Sequence, residues 1–150
     1  PATLRRQRQM CIRDRFQMEA HWSCLYQGVI SLSGLIVDAC GWVALVDAKI
    51  NLDIELKTIL GQPELILTDT VLIELRKIDE GRKGLLLELL TSRARIIHSS
   101  DSYADDGLIK LSIETGYPVL TVDRELKRRL ISVSCSYVEV TAGRTLRLVD

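Results

Sequence analysis

Short apolar runs recur along the chain, and segments of helical period fill the gaps between them. The runs at Leu35–Val37, Glu64–Thr68 and Val119–Val122 read as strands, and Arg95–His98 reads as another between them. A continuous apolar run suits a strand covered on both faces, whereas a strand with one wet face alternates apolar and polar residues. Alternating strand and helix predicts an α/β fold of three layers, α/β/α, with a mostly parallel central sheet of about five strands. Tyr137–Thr141 and Leu146–Val149 read as two further short strands around Ala142-Gly143-Arg144.

The helical segments carry their own punctuation. A helix begins in Gly41–Val46, and Asn51 opens another that runs to Leu60 and stops at Gly61. Thr68 or Asp69 can cap the next, with Val71, Leu72 and Leu75 on its apolar side. Asp79–Gly84 is a polar break before a buried helix over Leu85–Leu90. Ser102 is expected to cap a helix ending at Thr115-Gly116, with Asp105 three residues on. A basic helix follows from Arg124 to about Ile131.

At 150 residues the chain is long enough for one well-buried core. The formal net charge is zero, but it is unevenly spread: residues 1–31 hold five arginines against Asp14 and Glu19, +3, leaving the rest at −3. Leu4–Phe16 has no apolar period, and RQMCIRDR looks like translated adapter sequence. Residues 1–31 are therefore expected to be an extension, disordered or artefactual, outside a domain spanning 32–150. Cys11, Cys24, Cys40 and Cys135 lack the paired spacing of a zinc site and are expected as reduced thiols in a cytoplasmic protein. Gly28–Val46 is long enough to span a bilayer, but Asp38 and several Gly and Ser residues within it favour a buried strand, so no membrane association is expected.

The chemistry concentrates in acids at predicted strand ends. In a parallel sheet the C-terminal strand ends share one edge, where ligands bind. Asp38 ends the first run and stands between Val37 and Ala39, where an unpaired charge is costly. Asp123 ends the Val119–Val122 run, a place where Asp also serves as a helix cap. Glu74 lies in the helix after the second run, on its polar side. Asp105 and Asp106 open the helix after the third, where the helix dipole alone favours acids. Carboxylates gathered at one edge repel one another unless a cation joins them, and a divalent metal site acting on a phosphodiester follows.

From about Leu35 to Asp150 the chain resembles a PIN domain, the metal-dependent ribonuclease fold of toxin and RNA-processing nucleases. The resemblance rests on four segments in order: LIVD at 35–38, VLIEL at 71–75, ADDGLI at 104–109 and LTVDRELKRRL at 120–130. It implies an acidic quartet of Asp38, Glu74, Asp106 and Asp123 as catalytic, metal-holding residues. Asp106 takes the third place because the family's Asp stands directly before the small-apolar pair matched by Gly107-Leu108, with Asp105 auxiliary. Thr121 matches a hydroxyl residue that bonds a carboxylate or metal-bound water. Ala39 and Cys40 stand where the family has Thr or Ser and then often Asn, which removes a hydrogen-bonding group. The TVDRELKRRL segment looks closer to archaeal-type ribosome-processing nucleases than to VapC-type toxins.

Oxygen donors of this kind suit Mg²⁺ or Mn²⁺. Hydrolysis at such a site needs no His, Ser or Cys nucleophile, and His98 is expected to be a packed or edge residue. Arg124, Lys127, Arg128 and Arg129 beside Asp123 are candidate RNA-binding residues, with Arg124 and Arg128 one turn apart. Arg76, Lys77, Arg82 and Lys83 form a second basic group. The expected activity is metal-dependent endoribonuclease, with RNA as substrate and a second copy, an antitoxin or a ribosomal precursor as candidate partners. The rival reading is a non-catalytic RNA-binding or ribosome-assembly module of the same fold. A phosphorylation receiver would need an acidic pair at the first strand and a Lys near position 123, and no phosphate-binding glycine motif for NAD or ATP is present.

Overall fold

In a computed structural model, residues 33–80, 84–100 and 103–150 are described. The expected extension over 1–31, with Cys11 and Cys24, lies outside them, as do Arg82, Lys83 and Ser102. The first strand, β1 (Gly34–Val37), is buried at all four positions and occupies an inner place in the sheet. Around it, in chain order, come α1 (Ala39–Asp47), α2 (Leu52–Leu60), β2 (Glu64–Thr68), α3 (Asp69–Asp79), α4 (Leu85–Thr91) and β3 (Ala94–Ile97). The second half adds α5 (Ala104–Thr115), β4 (Val119–Leu120), α6 (Arg124–Ser132), β5 (Tyr137–Val140) and β6 (Leu146–Val149).

The strands lie in the order β3-β2-β1-β4-β5-β6, six where about five were expected. The first five are parallel, and β6 returns antiparallel along β5, pairing Val138 with Leu148. The sixth strand needs no crossover helix, because a short turn at 141–145 suffices for an antiparallel return. Leu35, Ile36, Ile66, Leu67 and Leu120 from the strands meet Trp42, Leu75, Leu108, Leu126 and Leu130 from the helices in one core.

Local chemistry sets most boundaries. The Asn51 side chain accepts the Ile54 amide at 3.3 Å and starts α2, and Gly61 at φ +80° stops it. Thr68, not Asp69, caps α3 through the Val71 amide at 3.4 Å. Tyr103, not Ser102, stands at the N-cap of α5 and offers no side-chain cap. Helix α1 starts at Ala39, two residues before the expected Gly41, because the Trp42 amide already bonds the Asp38 carbonyl at 3.0 Å.

Strand β4 is only two residues long, against the four expected. The Thr121 hydroxyl accepts the Asp123 amide at 3.1 Å and turns the chain out of the sheet into α6. At that point α1 crosses β4 in direct backbone contact. A Cβ on Gly41 would stand 2.3 Å from the Leu120 carbonyl oxygen and 2.9 Å from the Thr121 Cα. Only a residue without a side chain fits, since the opposing atoms are main chain and cannot rotate away. Gly41→Ala is expected to lower unfolding free energy by about 1–3 kcal/mol in urea titrations. Gly143→Ala, whose added Cβ would meet nothing closer than Thr141 Oγ1 at 3.7 Å, should stay within about 0.5 kcal/mol of wild type.

Candidate functional site

Parallel strands bring their C-terminal ends to one edge, and the residues just beyond β1 and β4 are Asp38 and the Thr121–Asp123 turn. Asp38 is only 6% exposed, and its amide donates to the Leu120 carbonyl at 3.1 Å. Its side chain does not cap α1. Instead Oδ2 accepts from the Thr121 hydroxyl at 2.8 Å and from the Cys40 thiol at 2.7 Å. The burial cost of this carboxylate is offset by these two donors. Thr121, itself fully buried, therefore donates to Asp38 while accepting the Asp123 amide, and so ties two acids through one oxygen.

Cys40 is a contributor that sequence reasoning did not assign. Ala39 does lack a polar group, but one residue later the thiol turns back onto Asp38 and also lies 3.4 Å from Thr121 Oγ1. Burial, followed by the adjacent Asp38 charge, pushes the thiol's pKa up, which keeps its proton on as a donor. The hydrogen-bonding group expected to be missing is thus supplied by a different residue. The one available signal was a polar side chain two positions after an apolar-flanked Asp.

A cavity of about 590 Å³ opens at this edge, lined by Asp38, Cys40, Asp47, Glu74, Asp105 and Asp123 together with Ala39, Val43, Ala44 and Ile78. Glu74 reaches it from α3, Asp105 from the first turn of α5, and Asp123 from the N-cap of α6. Burial, then Asp38 and Asp105, raise the pKa of Glu74, against a smaller pull from Lys77. Burial, then Asp38 and Asp123, raise that of Asp105, against Arg129. The acids feel one another through the cavity, although among the described residues no three are yet close enough to close on a single ion. Asp123 uses Oδ1 to cap α6, accepting the Glu125 amide at 2.7 Å.

Asp106 does not line the cavity. Successive helical residues point about 100° apart, and in α5 that phase turns Asp105 inward and leaves Asp106 exposed. There it forms an ion pair with Arg129, whose Nη1 also lies 4.0 Å from Asp105 Oδ2. The motif match favoured Asp106, and the helix phase favours its neighbour. Asp47, at the end of α1, also lines the cavity and was not anticipated.

The basic helix divides by partner. Lys127 is largely buried, bonded to Glu139 at 2.5 Å and set 5.5 Å from the Tyr137 ring centroid, so it is committed to packing α6 on β5. Arg128 pairs with Glu125 through both carboxylate oxygens at 2.7 and 2.8 Å, in solvent. Arg124 is exposed and makes no ion pair among the described residues. His98, 94% exposed at the end of β3, sits 3.1 Å from Asp69 and outside the acidic cavity.

The profile of the PIN-like domain family matches residues 35–142, and the chain belongs to that family. Among solved structures it is similar to the PIN domain endonuclease Utp24, with a TM-score of 0.65 and 24% identity, covering 77% of this chain and 90% of that one. At that identity the likeness establishes a shared fold. Among curated proteins, none matches significantly.

The Lys127–Glu139 contact has a pH signature. Lys127 first, then Arg147, hold the Glu139 carboxyl below its ordinary value of 4.5. A depressed acid contributes stability that is present above the ordinary value and is lost as pH falls through the folded one. Glu139→Gln is therefore expected to lower the melting temperature at pH 7. It should also flatten the loss of stability that the wild type shows in calorimetric scans taken below about pH 4.5.

Proposed function

We propose that the chain is a divalent-metal-dependent endoribonuclease whose metal is held by Asp38, Glu74, Asp105 and Asp123. The observation that carries this reading is the convergence of the four carboxylates on one cavity, with a buried Asp38 held by Thr121 and Cys40. Membership of the PIN-like family supports it, as does the fold shared with a solved endonuclease. The donor set is all carboxylate oxygen, which suits Mg²⁺ or Mn²⁺. Asp38 Oδ1 and Asp123 Oδ2 receive no hydrogen bond among the described residues, so each acid keeps a free oxygen for a ligand.

A bound divalent ion would supply Lewis acidity to a phosphodiester oxygen and lower the pKa of the attacking water. The protein's own groups do the positioning. Thr121 and Cys40 fix the Asp38 carboxylate, and the α6 N-terminus fixes Asp123. Arg124, with Arg128 one turn away, offers charge to an RNA phosphate. An exposed pair such as Arg128–Glu125 is worth little in solvent and yields readily to a phosphate.

RNA cleavage by the full chain should require Mn²⁺ or Mg²⁺ and fall on the order of 100-fold or more in Asp38→Asn and in Asp105→Asn. Both variants should still bind RNA in the absence of metal. Arg124→Ala combined with Arg128→Ala should weaken binding to all sequences and flatten its log–log salt dependence by up to about two. RNA that binds but stays intact at millimolar Mn²⁺, with no shift in melting temperature on adding the ion, would support the non-catalytic module instead.

A further inference from the structure

Three features stand together where α5 meets α6. Asp106 is exposed, outside the acidic cavity, and bonded to Arg129 Nη2. The other end of the same guanidinium, Nη1, lies 4.0 Å from Asp105 Oδ2, on the cavity side of α5. Among the described residues the α5 N-terminus has no side-chain cap, Tyr103 offering none where Asn51 caps α2 and Asp123 caps α6.

We propose that Asp106 and Arg129 are a positioning pair: Arg129 clamps the first turn of α5 to α6 and thereby sets Asp105 against Asp123. This rests on the metal-site reading above. A guanidinium presents several N–H groups in a rigid fork, so one side chain serves both acids at once. Asp105 needs such support because Asp38, Asp123 and Asp106 all repel it. With Asp106 taking the ion pair, Arg129 offsets that repulsion without sitting in the cavity and competing for the ion.

An exposed ion pair adds little to global stability, so the effect belongs to the metal response rather than to the fold. Removing a group that orients a metal ligand commonly costs about 10-fold to 100-fold in metal affinity. The test is a cycle of Asp106→Ala, Arg129→Ala and the double variant in the full chain. Mn²⁺ affinity is read by calorimetry without RNA, and the Mn²⁺ concentration for half-maximal cleavage with RNA. Each single change should weaken Mn²⁺ about 10-fold, and the double should be no worse than either single. Melting temperatures without metal should stay within about 2 °C of wild type, a surface-pair effect. Asp106→Asn, which keeps an oxygen acceptor for Arg129, should lie within about 2-fold of wild type because that hydrogen bond survives.

If Asp106→Asn is as damaging as Asp105→Asn, Asp106 is itself a ligand and the proposal falls. It also falls if the two alanine effects multiply in the double variant, or if Mn²⁺ affinity is unchanged throughout. A wild-type chain that binds Mn²⁺ without cleaving RNA sinks the nuclease reading and leaves the clamp readable by calorimetry. A wild-type chain that takes up no Mn²⁺ overturns both, since the clamp then has no ligand to position.

Discussion

The backbone crossing of α1 over the end of β4 sets the geometry on which the acidic edge depends. Gly41 has no side chain to hold the two main chains apart, so Asp38, three residues earlier, comes to rest beside Thr121. One hydroxyl then completes the arrangement. By donating to Asp38 and accepting the Asp123 amide, Thr121 fixes a buried carboxylate and ends β4 in the same stroke. A bulkier residue at position 41 would move α1 and break this junction before touching any acid directly. Packing and site geometry are thus a single constraint at this point in the fold.

The electrostatics follow from that junction. Among the described residues Asp38 has no cationic partner, and its side chain bonds a hydroxyl and a thiol that stays protonated. Burial first, and then the Asp38 charge across the cavity, make Glu74 and Asp105 harder to ionise. Contrast Glu139, a partly buried acid on β5, whose two cationic partners Lys127 and Arg147 pull it the other way. Glu139 is paired with cations, whereas among the described residues Asp38 is held by neutral donors.

The layer order and the acidic edge were legible in the sequence because they depend on period and position. The sequence pattern marked β1 to β4, of which β3 lies at the sheet edge, and Asn51, Gly61 and Gly116 marked helix ends by their own backbone and capping chemistry. Where structure and sequence reading differ, the cause is tertiary. Asp105 and Asp106 are equivalent as letters, and only the phase of α5 against the sheet separates them. Cys40 lay beyond motif matching, because its bond to Asp38 depends on the first turn of α1 folding back over the strand end. Lys127 read as one of four similar cations, and its commitment to Glu139 follows from β5 lying beneath α6, a contact between residues 12 apart. The end of β4 at Leu120 likewise depended on a side chain bonding to main chain, which apolar period cannot reveal.

The pattern of partnered and unpartnered charge also bears on how RNA would approach. Of the four basic residues on α6, Lys127 belongs to the sheet and Arg129 to α5, leaving Arg124 and Arg128 facing solvent. Two exposed cations offer modest attraction, while the cavity beside them carries a surplus of negative charge that repels phosphate at short range. On the metal-dependent reading these facts are one mechanism, not a conflict. Without an ion the acidic edge excludes the nucleic acid that Arg124 draws nearby. Divalent charge in the cavity would offset part of that repulsion and give a phosphate oxygen a positive centre to face. Affinity for RNA near the scissile bond then depends on the same carboxylates as catalysis, and distant binding depends on α6. On that reading, docking near the scissile bond would be coupled to metal occupancy through charge.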